Sequence, residues 1–108
     1  MMSPRKDSKM KSYWLKSTVS PGQFSGECVV VAKDFRNNGF SLFVPDDFVE
    51  YDGDLGKGVG VDGWLQVELL GQQGDLALIR LPRASLENGP TVTVQCSQLD
   101  YRFAREFA

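Results

Sequence analysis

Between Ser12 and Ser97 the chain is a succession of short alternating apolar segments, each closed by Gly, Pro or Asn. Tyr13, Leu15 and Val19 alternate with Trp14, Lys16 and Thr18 up to the Pro21-Gly22 turn signal, which predicts a half-buried strand. Glu27 to Phe35 is almost continuously apolar through Val29-Val30-Val31-Ala32 and predicts a strand covered on most of both faces. Asn37-Asn38-Gly39 supplies residues that tolerate positive φ, predicting a two-residue type I′ hairpin onto Phe40–Val44.

Pro45 then stops the sheet, and 45–50 predicts one helical turn with acids at its positive end. A Gly-rich acidic loop from Tyr51 to Gly63 comes next, near the upper limit of about 12–15 residues for an unstructured connection. Trp64–Leu70, Leu76–Leu81 and Thr91–Ser97 alternate again, separated by Gly71–Gly74 and Asn88-Gly89-Pro90. The count is six strands. Closure removes exposed strand edges, so the expectation is an all-β fold, a small six-stranded barrel, SH3-like or OB-like, with a short C-terminal helix or turn. Gly63 to Leu99 resembles the latter part of an SH3-like barrel: strand, short hairpin, strand ending Leu81-Pro82, extended connection, last strand, Gln98-Leu99. That likeness implies architecture and no activity.

At 108 residues the chain has the length of one domain. Residues 1–11 carry no apolar period and are expected to form a flexible basic arm, leaving 12–108 as the barrel domain. Charge is unevenly placed. Arg5, Lys6, Lys9, Lys11 and Lys16 stand in the first sixteen positions, and the rest of the chain has seven bases against thirteen acids. No apolar stretch reaches the length of a membrane span and no secretory signal is present, so the expected compartment is the cytoplasm, without membrane partners. Cys28 and Cys96 share the phase of neighbouring apolar residues and are expected to be buried and reduced.

The chain has no histidine, which removes Ser-His-Asp and Cys-His nucleophiles, imidazole zinc ligands and His acid–base chemistry. Gly58–Gly63 fits G-x-G-x-x-G, but no helix is predicted after it, so a dinucleotide site is not expected. Asp52 and Asp54 have calcium-loop spacing, yet the twelfth position of that loop is Gly63 instead of Glu. No metal site, cofactor or small-molecule ligand is expected, and nothing assigns catalysis.

Two binding readings remain. The first is a non-enzymatic protein-interaction module whose contacts, to a partner or a second copy, come from acidic Asp46, Asp47, Asp52 and Asp54 and from the tail residues Tyr101, Phe103 and Phe107. Leu99, Phe103 and Phe107 would form one stripe if the tail were helical. The alternative is a single-stranded nucleic-acid binder, with Trp14, Phe35 and Phe40 stacking on bases beside Lys16, Lys33 and Arg36. Large aromatics at strand ends also cap barrel cores, and the acidic body disfavours phosphate.

Overall fold

A computed structural model describes residues 12–53, 55 and 60–100. The protein is all-β, one antiparallel sheet curled into a half-barrel. Its strands are β1 (Ser12–Pro21), β2 (Glu27–Lys33), β3 (Gly39–Pro45), β4 (Val49–Tyr51), β5 (Val61–Gln73), β6 (Leu76–Ser85), β7 (Gly89–Gln95) and β8 (Leu99–Asp100). The six expected strands are present, and two short ones, β4 and β8, are added. Each comes after a single 3-10 turn, Asp46–Phe48 before β4 and Cys96–Gln98 before β8. The helical turn expected after Pro45 is the first of these.

The strand order β3-β2-β1-β5-β6-β7 is a palindrome once β1 is matched with β5, β2 with β6 and β3 with β7. The central ladder and the two short strands carry the same relation residue by residue. Leu15 faces Leu65, 50 positions later, on the β1–β5 ladder. Val49 and Glu50 of β4 pair with Leu65 and Trp64; Leu99 and Asp100 of β8 pair with Leu15 and Trp14, the same pairing moved by 50. The fold is therefore two copies of a strand-strand-strand-turn-strand unit, related by a pseudo-twofold axis through the Leu15–Leu65 pair. Asn38-Gly39 and Asn88-Gly89 open the third strand of each unit.

The units clasp each other at their hairpin tips. Phe35 N–H, at the β2–β3 tip, donates to Thr93 O of β7 (3.0 Å), and Leu86 N–H, at the β6–β7 tip, donates to Ser41 O of β3 (2.9 Å). Inside the curl, alternation puts Leu15, Val19, Val30, Leu42, Val44, Leu65, Ile79 and Val94 in one core, all essentially inaccessible to solvent. Each fully buried aliphatic side chain contributes about 1.5–3 kcal/mol, more than the roughly 1 kcal/mol of one tip hydrogen bond, so the core sets stability and the tips set register.

Several local expectations are corrected. The β2–β3 connection is a three-residue loop instead of a two-residue type I′ turn, because Asp34 organises it. Its backbone pairs with Asn38, its carbonyl accepts Asn37 N–H, and its carboxylate accepts the N–H groups of Arg36 and Asn38. Asn37 takes the positive φ of 68° that such a loop needs at its last position. Strand β5 runs on through Gln73, so the hairpin turn is Gly74-Asp75, with Gly74 at φ 59°. The long acidic loop shortens because β4 and the start of β5 claim both its ends. Strand β7 stops at Gln95, which leaves Cys96 half-buried on the second 3-10 turn instead of inside the core, while Cys28 is buried; both thiols are free. The arm 1–11 and the tail, with its expected helix, lie outside the described residues.

Two outcomes test this packing. A Cβ on Gly63 would meet Glu50 O at 2.5 Å and Val19 Cγ2 at 2.9 Å, where the β4 backbone pairs with β5. Gly63→Ala should lower unfolding free energy by about 1–3 kcal/mol in chemical denaturation. Burial, with Asp46 and Glu27 nearby, pushes the Cys28 thiol above its ordinary pKa and so keeps it protonated to higher pH. Native labelling with a thiol reagent at pH 8 should modify Cys96 first, and Cys28 only after denaturation.

Candidate functional site

The outward residues of β1 and β5 carry the polar chemistry, since their inward neighbours Leu15, Val19, Leu65 and Val67 are committed to the core. Across that outer face Lys16 is the cross-strand partner of Trp64, and Thr18 of Asp62. The Lys16 ammonium lies 6.0 Å from the centre of the Trp64 ring. This is a cation–π contact at the edge of its effective range, holding an aliphatic stem along the indole. Trp64 is half-buried.

Strand β4 brings the acids. By pairing Glu50 with Trp64 and Tyr51 with Gly63 it carries Glu50, Tyr51 and Asp52 to the rim, while the preceding turn contributes Asp46. The result is a cleft of about 550 Å³ beside Trp64, in which four carboxylates, Asp46, Glu50, Asp52 and Asp62, face one ammonium, Lys16. Gly63 lets the β4 backbone come this close, since a Cβ there would meet Glu50 O at 2.5 Å. Among the described residues no three acidic or thiol groups come close enough to hold a metal ion. The carboxylates are spread round a rim, a geometry suited to a side-chain cation and its neighbours.

A second cleft of about 480 Å³ adjoins the first and shares Lys16 and Asp62 with it. Its far wall is the β2–β3 tip, fixed to the second 3-10 turn by two glutamines. Gln98 Nε2 donates to Lys33 O (2.7 Å) while its Oε1 accepts Gln95 N–H (2.7 Å), and Gln95 Nε2 donates to Phe35 O (3.3 Å).

The sequence-derived candidates separate accordingly. Asp46 and Asp52 line the Trp64 cleft, and Asp47 is exposed on the turn beside it. Asp54, Tyr101, Phe103 and Phe107 lie outside the described residues. Of the nucleic-acid set, Lys16, Lys33 and Phe35 meet in the second cleft, and Arg36 stands over the Phe35 ring at 5.2 Å. Trp14 and Phe40 do not join them: Trp14 is 6% exposed and Phe40, in the core, 1%. A stacking surface there rests on the single half-buried ring of Phe35.

Sequence patterning does not single out Trp64, Glu50 and Asp62 as a site. The available signal is the second tryptophan 50 positions after Trp14, on the outward phase of an equivalent strand. No protein-family model, curated protein or solved structure matches the chain, so the binding chemistry of the site rests on its geometry.

No helix among the described residues is long and apolar enough to cross a membrane. The glutamine lock makes a mutational prediction. Gln98→Ala removes one donor and one acceptor that hold the β2–β3 tip, and should cost about 1–2 kcal/mol in chemical denaturation. Amide exchange should rise at 34–38, with the β1–β5 ladder unchanged.

Proposed function

We propose that the domain is a protein-interaction module whose Trp64 cleft receives a lysine- or arginine-bearing segment of a partner protein. The observation that carries this reading is the Lys16 ammonium seated beside the Trp64 ring inside a rim of four carboxylates. Among the described residues that line the cleft, four are acidic and one is basic. A partner guanidinium fits better than an amine, because its plane stacks on the indole while its N–H fork reaches rim carboxylates. Each rim-exposed charge contributes little by itself; aromatic stacking in a partly desolvated cleft supplies the larger share. Lys16 then acts as a stand-in that swings aside, its long stem permitting the exchange. The acidic rim also speeds encounter with a basic partner, an advantage that falls as salt rises.

The expected outcome is that a short arginine-containing peptide binds in calorimetry with an affinity that drops as salt is raised. Trp64→Ala should weaken it roughly 3- to 30-fold, the range of a cation–π contact. Asp52→Asn and Glu50→Gln should each weaken it less and flatten the salt dependence. Binding that is absent, or indifferent to Trp64→Ala, overturns the proposal. Tight binding of a thymidine oligonucleotide, lost with Lys33→Ala and Phe35→Ala, would transfer the function to the second cleft and to nucleic acid.

A further inference from the structure

The second cleft differs from its neighbour in what it offers a ligand. Among the described residues that line it, Lys16 and Lys33 balance Asp34 and Asp62, so no excess of charge selects an anion or a cation there. Its other polar groups are largely engaged within the chain. Asp34 Oδ1 accepts the N–H groups of Arg36 and Asn38, the Gln95 and Gln98 amides hold the β2–β3 tip, and the buried Ser17 hydroxyl donates to Leu15 O (2.8 Å). What stays open is apolar. Val31, on the outward phase of β2, is 41% exposed, and the half-buried Phe35 lines the same space. An apolar group laid on them gains from the surface it covers without stranding a polar group that lacks a partner.

We infer that this cleft takes an aliphatic side chain of the same partner segment that sets its arginine against Trp64, an assignment that rests on the Trp64 cleft being the arginine site. Continuity selects this occupant. The two clefts share Lys16 and Asp62, so a chain that leaves one enters the other directly. The register sets the spacing. Val31, Thr18 and Asp62 form one row across β2, β1 and β5, and Trp64 lies two residues along β5 from Asp62. Two strand spacings across and two residues along make a diagonal of about 12 Å. In an extended segment the side chains at i and i+4 share a face and stand about 13 Å apart, whereas i+2 spans about 7 Å and odd spacings face opposite ways. The partner motif is therefore an arginine with an aliphatic residue four positions away.

Blocked peptides of glycine and serine with one arginine test it in calorimetry, with leucine two, three or four positions before or after the arginine, or absent. Leucine at four positions, on one side or the other, should tighten binding about 3- to 10-fold over the leucine-free peptide, the gain from covering half of a leucine side chain. Val31→Ser should bring that ratio close to one, and Trp64→Ala should weaken both peptides. A leucine gain that is absent, equal at every spacing or unmoved by Val31→Ser overturns the inference, while Trp64-dependent binding of the leucine-free peptide keeps the arginine site. Loss of all binding, or binding indifferent to Trp64→Ala, removes the arginine site and the inference with it. Should Val31→Ser not fold, amide shifts in the unaltered protein decide. Signals of residues 31 and 35 that respond to the leucine peptide and not to the leucine-free one support the inference, and their silence overturns it. The same signals moving with protein concentration before any peptide is added give the apolar surface to a second copy and overturn it as well.

Discussion

Everything in this fold hangs on the ladder between β1 and β5, centred on Leu15 opposite Leu65. These residues lie far apart in sequence, so the ladder closes a large loop and must recover that entropy from the apolar surface it brings together. It does so because both strands offer an inward row, Leu15 and Val19 against Leu65 and Val67, that neither half can bury by itself. Once the ladder exists, each short last strand finds a template: β4 lies along β5, and β8 along β1. The tip-to-edge bonds of Phe35 and Leu86 then close the curl.

The Trp64 cleft is a by-product of that arrangement. A three-residue strand must pair closely along β5 for Glu50 to sit beside Trp64, and Gly63 permits the approach. The same pairing brings Tyr51 and Asp52 to the rim. The ladder supplies Lys16 and Asp62 from the other side. Lys16, Glu50 and Asp62 therefore converge from three separate strands, with Asp46 and Asp52 added from the segments that flank β4.

Much of the fold was legible in the sequence because alternation survives in most long strands: Leu65, Val67 and Val92, Val94 are buried in the phase their spacing predicts, whereas β2, expected to be covered on most of both faces, buries only Cys28, Val30 and Ala32 and leaves Val31 exposed. β4 and β8 were not, since two or three residues carry no period and their pairing is dictated by distant partners. The β2–β3 turn departs from its expected type because Asn38-Gly39 is a strong hairpin signal, whereas the deciding group is the Asp34 carboxylate. The internal repeat is hidden for a different reason. Trp14/Trp64, Leu15/Leu65, Gln23/Gln73, the Asn-Gly pairs, Leu42/Val92, Val44/Val94 and Val49-Glu50-Tyr51 against Leu99-Asp100-Tyr101 keep identical or similar residues at a spacing of 50, but they are scattered and most positions between them have diverged. Of the site, Asp46 and Asp52 could be picked out by charge. Trp64 needed its register with Lys16, which no local pattern contains.

The bulge between Leu69 and Gly71 has a consequence for chains meeting one another. A molecule built from two like halves risks accepting the wrong half from a neighbour, and such exchange propagates into open-ended assemblies. Here the bulge shifts the second unit's phase: β6 buries Ala77, Ile79 and Leu81, whereas positions 50 after the buried Cys28, Val30 and Ala32 of β2 would be Leu78, Arg80 and Pro82. A foreign first half laid in the second half's place meets the central ladder with its side chains one step out of turn. The single extra residue thus makes the two halves inequivalent in phase, so that neither is an exact template for the other.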